Sequence, residues 1–313
     1  MITTFTLNAA IDKTYYVPGV PAFGPGNVVR ASRMFAQPGG KGINVARVVH
    51  QLGLPVRASG IVGGSNGAYI ERALSAIGIG HEFVAVEGES RLCLNMISDA
   101  DGSSLELLES GPVVPAEAVE ALKRKVSELA STSRIVSFSG SIPQGVPTGI
   151  YRELATLAKE AGARVFLDAS GAAMLAGIEA APHLIKPNQD EAQVLLGRAI
   201  EKEADLAEWI VRCMEQGIAS VIVSLGGEGA LAGHEGALYR VRSATIDVVN
   251  AVGCGDAFVA GMAVATAEDR PADDALRFAA AVGTANALSL VAGDVKPDDV
   301  KRLYAETAVT RIH

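Results

Sequence analysis

From residue 115 onward the chain repeats one unit: a helical stretch, a short apolar β-branched run, then a polar or glycine-containing loop. Helix 115–130 leads to strand 134–138 and then Ser139-Gly140-Ser141-Ile142-Pro143. Helix 147–161 leads to strand 164–168 and Asp168-Ala169-Ser170-Gly171. A short segment reaches His183–Ile185, then Lys186-Pro187-Asn188-Gln189-Asp190-Glu191 and helix 190–196. Helix 204–216 leads to strand 219–223 and Ser224-Leu225-Gly226-Gly227-Glu228-Gly229-Ala230. Strands separated by helices of this length pair in parallel through right-handed crossovers. The pattern predicts an α/β fold with a mostly parallel central sheet, helices on both faces, and ligands beyond the carboxyl ends of the strands. A chain with 34 glycines and only 5% aromatic residues suits helices packed closely on such a sheet.

Thr3–Leu7 reads as a further buried strand, with Asn8-Ala9-Ala10-Ile11-Asp12-Lys13 as its loop. Asp12 is then either a ligand contact or a turn-forming acid. Two segments break the rhythm. Residues 13–37 contain Pro18, Pro21 and Pro25 with β-prone pieces at Tyr15–Val17 and Val28–Phe35. Residues 81–110 read as three strands, Glu82–Val86, Arg91–Ser98 and Ser104–Leu108. Paired together, they form a small sheet that covers the site or buries its apolar face in a second subunit; otherwise they are long hairpins. The chain 1–313 is read as one domain carrying these two insertions.

Two glycine-rich stretches carry chemistry. In Val252-Gly253-Cys254-Gly255-Asp256-Ala257, the glycines enter an Ala-rich apolar helix running to Ala267. Backbone N–H groups converging at a helix N-terminus make an anion site. Asp256, a carboxylate beside it, either accepts the proton of an attacking hydroxyl or caps the helix. In Pro38-Gly39-Gly40-Lys41-Gly42-Ile43-Asn44, the glycines precede a helix spanning 43–52; Gly42 stands where a phosphate-binding P-loop needs Ser or Thr. Asn44 is either a cap or a partner for a polyhydroxy ligand. The run Ala279–Ala292 is too short to span a membrane and reads as a buried helix.

No Gly-x-Gly-x-x-Gly follows the first strand, which counts against a dinucleotide enzyme. The net charge of −8 counts against nucleic acid and acidic membranes as partners. Cys93, Cys213 and Cys254 are too scattered for a disulfide framework or a zinc site. With no signal-like N-terminus, the expectation is a soluble, cytoplasmic protein.

Four stretches, in order, resemble the signatures of the ribokinase-like (PfkB) carbohydrate kinases: 39–46, Lys186-Pro187-Asn188 with Glu191, 224–229 and 252–258. The resemblance covers essentially the whole chain. Thr6-Leu7-Asn8-Ala9-Ala10-Ile11-Asp12 and the Gly-Gly-Lys-Gly form are similar to the branch containing 1-phosphofructokinase and tagatose-6-phosphate kinase. The resemblance implies a three-layer α/β/α fold with a small β-sheet lid, and ATP-dependent phosphorylation of a ketohexose phosphate. It implies Asp256 as general base, and Gly253, Cys254 and Gly255 as the anion hole. Asp12, Gly40 and Asn44 would orient the sugar; Lys41 and Arg91, with Arg30 and Ser139 as further candidates, would hold its phosphate. Lys186, Asn188, Ser224, Gly226, Gly227, Gly229 and Gly255 would surround ATP, and Glu191 with Asn188 would hold Mg2+ through waters. Surface charge for the arginines and Lys186, a turn serine, and a first-turn helix acid for Glu191 remain the alternatives. The family's 6-phosphofructokinases carry an arginine where Glu106 stands, which counts against fructose 6-phosphate. Asn250-Ala251 replaces their usual lead into the second signature. A kinase for a neutral sugar or nucleoside, and a non-catalytic sugar-phosphate sensor, are the competing functions. A homodimer through the lid is the expected assembly.

Overall fold

The computed structural model describes residues 1–19 and 28–312; Pro21 and Pro25 lie outside them. In chain order, β1 (Ile2–Thr6), β2 (Ala10–Val17) and β3 (Arg33–Gly39) precede α1 (Lys41–Gln51), β4 (Val56–Gly63) and α2 (Gly64–Ala76). Then come β5 (Gly80–Val86), β6 (Arg91–Ser98), β7 (Ser104–Leu108), α3 (Ala116–Ala130), β8 (Ile135–Ser139), α4 (Ile150–Glu160) and β9 (Arg164–Asp168). The chain continues through α5 (Gly171–Ile178), β10 (Leu184–Ile185), α6 (Gln189–Leu196), α7 (Glu203–Glu215), β11 (Ser220–Ser224), β12 (Ala230–His234) and β13 (Ala237–Arg242). It ends with α8 (Cys254–Ala267), α9 (Ala272–Asn286), α10 (Pro297–Glu306) and β14 (Ala308–Arg311).

Ten of these strands form the main sheet, in the order β14-β13-β12-β11-β10-β9-β8-β1-β4-β5. Strands β5 to β11 along that order are parallel, and β12, β13 and β14 add an antiparallel edge. Apart from the edge strand β5, the parallel strands are buried on both faces, so each feeds two cores by alternation. Ile2, Ile135, Phe166, Leu184 and Ile222 point to the face covered by α1, α2, α8, α9 and α10. Phe5, Val136, Phe138, Leu167, Ile185 and Val221 point to the face covered by α3 to α7. This is the three-layer α/β/α arrangement. The chain leaves β1 for β4 and β5 on one side and returns to β8 on the other. That reversal opens a crevice at the carboxyl end of β1.

The remaining four strands form a second sheet, β3-β2-β6-β7. Three expectations need correction here. Glu82–Val86 does not join the small sheet; it follows α2 and pairs in parallel with β4, as a right-handed crossover requires. Residues 10–13 are strand rather than loop, because β2 is held on both sides, with Asp12 opposite Gln37 and Cys93. The apolar run 279–292 is helical only to Asn286; beyond it, Ala287 and Leu288 N–H groups donate to Thr284 and Ala285 carbonyls and the chain turns. The strand expected at Val28–Phe35 is displaced to Arg33–Gly39, and most other bounds shift by up to three residues.

Tyr151 ties the second core to the crevice. It is fully buried, its ring packs on Phe138, and its hydroxyl donates to the Gly140 carbonyl at 2.9 Å. Tyr151→Phe is expected to cost about 1 kcal/mol of unfolding free energy through the stranded carbonyl. Tyr151→Ala should cost about 3–5 kcal/mol through the cavity it leaves. Urea denaturation separates the two, and a Phe variant as unstable as the Ala variant would mean that ring packing is not what matters.

Candidate active site

A cavity of 480 Å³ opens beyond the ends of β1, β8 and β9, which contribute Thr6, Ser139 and Asp168. Asp168 ends its strand with its side chain 1% exposed. Lys41, at the first turn of α1, donates to Asp168 Oδ1 at 3.1 Å. Lys186, in the loop after β10, lies 3.6 Å from Oδ2 and is itself buried. Burial opposes the charge on Asp168, but Lys186 and Lys41 outweigh it and hold the carboxyl below its ordinary value. In return Asp168, against the effect of burial, raises the pKa of Lys41. Lys186 is thus an interior cation and not a surface lysine.

Above this pair of ammonium groups stands the turn into α8. Gly253 is its N-cap, in a left-handed conformation with φ 84°; a Cβ there would lie 2.8 Å from the Ala292 Cβ. A Cβ on Gly255 would lie 3.0 Å from Lys186 Nζ, so glycine here lets the ammonium sit against this backbone without giving way. Cys254 N–H is turned toward the Ala251 carbonyl at 3.4 Å, a long contact. Asp256 sits in the first turn of the helix and makes no cap, which removes the capping explanation. Its Oδ2 accepts a 2.9 Å hydrogen bond from Asn44 Nδ2. Asn44 in turn caps nothing: its amide faces Asp256, and its Oδ1 has no partner among the described residues. Burial pushes the Asp256 carboxyl up to about 7, partly offset by Lys41, reinforced by Asp168, and lowered again by Asn44 and Lys186.

The second sheet closes the cavity with one face, on which Asp12, Thr14, Gln37, Cys93, Asn95 and Glu106 alternate with outward residues. Burial raises Asp12 to about 6, against the Gly40 N–H it accepts and the charges of Arg91 and Arg47. Arg91 is anchored by its Nε to the Asn8 carbonyl at 3.1 Å and lines the cavity, so it is no freely solvated charge. Gly40 and Ser139 also line it; Ser139 is buried, with its Oγ 3.1 Å from Ser137 Oγ. Arg30 is exposed and does not line the cavity.

A second cavity of 380 Å³ adjoins the first and shares Lys186, Ser224 and Gly255 with it. Gly226, Gly227, Gly229 and Cys254 line it as well, and its walls are Ile246, Val248, Phe258 and Ala280. Asn188 and Glu191 line the larger cavity but bind each other: Asn188 Oδ1 accepts the Glu191 N–H at 2.8 Å and Glu191 Oε2 accepts the Asn188 N–H at 2.9 Å. The helix-cap reading of Glu191 is therefore satisfied in this structure. No group of three or more His, Cys, Asp or Glu side chains able to hold a metal is found among the described residues. The three cysteines are free, and no described helix is long and apolar enough to cross a membrane.

Sequence reasoning left out Asp168 as a site residue, although its partners Lys41 and Lys186 were both included. It also left out Asn95, Glu106 as a cavity residue, and the apolar walls of the second cavity. Strand-end position was the available signal for Asp168.

Residues 6–298 match the pfkB family carbohydrate kinases. The chain is 34% identical to a tagatose-6-phosphate kinase of Staphylococcus epidermidis, over the full length of both. A Thermotoga maritima structure described as a possible 1-phosphofructokinase superposes with a TM-score of 0.90 at 27% identity, covering 100% of this chain and 99% of that one. Phosphofructokinase-2 from Escherichia coli in complex with fructose-6-phosphate superposes with a TM-score of 0.88 at 28% identity, covering 97% and 98%. With the signatures, the sheet order and the paired cavities in agreement, the chain belongs to the pfkB family of carbohydrate kinases.

Proposed function

We propose that this kinase transfers the γ-phosphoryl group of ATP to a hydroxyl of a ketohexose phosphate, tagatose 6-phosphate or fructose 1-phosphate, giving the bisphosphate. The observation that carries this reading is the position of Asp256. It lines the larger cavity beside the glycine turn whose Gly255 borders both cavities. The nucleotide occupies the smaller, apolar-walled cavity with Lys186, Ser224, Gly226, Gly227 and Gly229 around it. The acceptor occupies the larger one, oriented by Asp12, Gly40 and Asn44. Asp256 accepts the proton of the attacking hydroxyl, and the N–H groups of Gly253, Cys254 and Gly255 face the charge that gathers on the moving phosphoryl group. Arg91, with Ser139 nearby, meets the phosphate already on the acceptor. Lys41, steered by Asp168, lies between that phosphate and the transfer point. One carboxylate with an amide suits an ion that keeps most of its waters, so Glu191 and Asn188 are the residues that would hold Mg2+ against the ATP phosphates, where it would neutralise their charge.

Because the Asp256 carboxyl lies near 7 in the free enzyme, only its ionised form can take a proton. kcat/KM should therefore rise about tenfold per pH unit below 7 and level off above it. Asp256→Asn should abolish turnover. The native state also holds this proton more tightly than the unfolded chain, so ionising Asp256 costs stability above pH 7 and costs nothing below pH 4. Hence Asp256→Asn should melt at a higher temperature than the parent at pH 8, with the advantage shrinking toward pH 4. A variant that turns over normally removes Asp256 from the chemistry.

A coupled ATP assay over tagatose 6-phosphate, fructose 1-phosphate, fructose 6-phosphate and their unphosphorylated sugars tests the substrate. Preference for one of the first two is expected, and turnover of neutral sugars alone would overturn the reading. Lys41→Ala should raise the KM for the phosphorylated acceptor and lower kcat; an unchanged KM would confine Lys41 to the transfer point.

The face of the second sheet turned away from the cavity carries Tyr15, Met34, Met96, Leu105 and Leu107 in one cross-strand patch, with Met34 52% and Leu107 56% exposed. A second copy of the chain covers this face in the proposed homodimer. Leu107→Asp should sediment as a monomer. A parent protein that is itself monomeric at micromolar concentration would refute the assembly.

A further inference from the structure

The glycine turn before α8 holds its own shape only in part. Val252 N–H donates to Asn250 Oδ1 at 3.0 Å, but Cys254 N–H is 3.4 Å from the Ala251 carbonyl. Further bonds come from Asn286 and the turn 287–294, which follows α9. Asn286, 1% exposed, donates from Nδ2 to the Val252 carbonyl at 2.8 Å and accepts at Oδ1 from Gly293 N–H, also at 2.8 Å. Asn250 Nδ2 reaches the Leu290 carbonyl at 3.2 Å, and Val249 and Asn250 N–H groups donate to the Ala287 carbonyl. Asn286 lines neither cavity, so it can act only through the loops it joins.

The same turn is gripped by the second sheet. Tyr16 donates its hydroxyl to the Leu290 carbonyl at 3.3 Å, the oxygen that Asn250 also uses. Gln37 Nε2 donates to the Ala292 carbonyl at 2.8 Å, and from α1 so does Arg47. One short turn therefore touches the sheet over the acceptor cavity, the helix that carries Asn44, and the loop that faces the phosphoryl group.

We propose that Asn286 is a positioning residue for phosphoryl transfer. It sets the direction of the N–H groups of Gly253, Cys254 and Gly255, and the 287–294 turn it anchors passes the position of the second sheet on to that loop. The inference rests on the anion-hole reading above, and Asp256→Asn in the same assay separates the two. If Asp256→Asn is inactive while Asn286 variants are normal, only this inference falls.

Asn286→Ala, assayed with the best acceptor, should lose about 10- to 100-fold in kcat, the scale of a misdirected reacting group, with both KM values within about threefold. Tyr16→Phe removes one hydroxyl and should fold as the parent does; it should lose about two- to fivefold in kcat with the acceptor KM unchanged. In the Asn286→Ala background Tyr16→Phe should have little further effect, because the path it acts through is already cut. Hydrogen exchange gives a readout independent of any acceptor: amides of 250–256 should exchange faster in both variants, with β1 and β8 unchanged. Parent-like kcat in a folded Asn286→Ala protein overturns the assignment, as does unchanged exchange in 250–256 in both variants. Fully additive effects of the two substitutions overturn the link to the second sheet. If Asn286→Ala does not fold, Tyr16→Phe decides: parent-like kcat and exchange there refute it.

Discussion

Two buried carboxylates share one site with two ammonium groups, and the arrangement of the site depends on how that burial is offset for each. Asp168 and Asp256 are each less than a tenth exposed, and burial works against the charge of both. Asp168 has Lys41 at 3.1 Å and Lys186 at 3.6 Å, and it stays ionised. Asp256 has a neutral amide as its hydrogen-bond partner, and its carboxyl rises to about 7. The same low-dielectric surroundings thus separate the two acids into a fixed counter-ion and a group that exchanges protons near neutrality. Moving either lysine from Asp168 to Asp256 would destroy the distinction. Asn44 matters for that reason: it orients Asp256 without donating a full charge.

The fold supplies these four groups from elements that share no local contact in sequence. Asp168 ends β9, Lys186 follows β10, Lys41 starts α1 and Asp256 lies in the first turn of α8. They converge because β9 and β10 are parallel neighbours, while α1 and α8 pack together on one face of the sheet. A reversal of strand order at β1 leaves room between the crossovers for the cavity. The second sheet roofs it, with polar side chains on the cavity side and Tyr15, Met34 and Leu107 on the other.

Much of this was legible in the chain. The strand–helix rhythm gave the parallel sheet, and the glycine stretches pointed to residues that line the two cavities, Asp256 and Lys41 among them. Asp168 was not legible, because its significance comes from a lysine 127 positions away, and an acid at a strand end is locally an ordinary turn residue. Asn188-x-x-Glu191 shows the opposite difficulty. That spacing fits both a metal-holding pair and a reciprocal helix cap, since both need two oxygens on one turn; in the structure the cap contacts are made. Glu82–Val86 has the composition of its neighbours in the second sheet, and only the preceding α2 crossover sends it to the main one. The end of α9 was hidden in an apolar run, because the residue that stops it, Asn286, spends its side chain on loops distant in sequence.

That last point bears on how a glycine turn can be held well enough for the anion-hole role proposed for it. Backbone N–H groups stabilise developing charge only if they are already aimed before charge appears; otherwise the energy gained is lost in reorganisation. A glycine turn has the most conformational freedom to lose, so its aim needs fixed partners. Here Asn250 bonds within the turn and across to Leu290, Asn286 holds the Val252 carbonyl, and Gly253 packs on Ala292. Gly253 is required by its positive φ and by the Ala292 methyl, and Gly255 leaves room for the Lys186 ammonium. The freedom that glycine brings is then removed by Asn250 and Asn286. Asn250 lines the larger cavity, whereas Asn286 lines neither and reaches the turn only through the loops it joins.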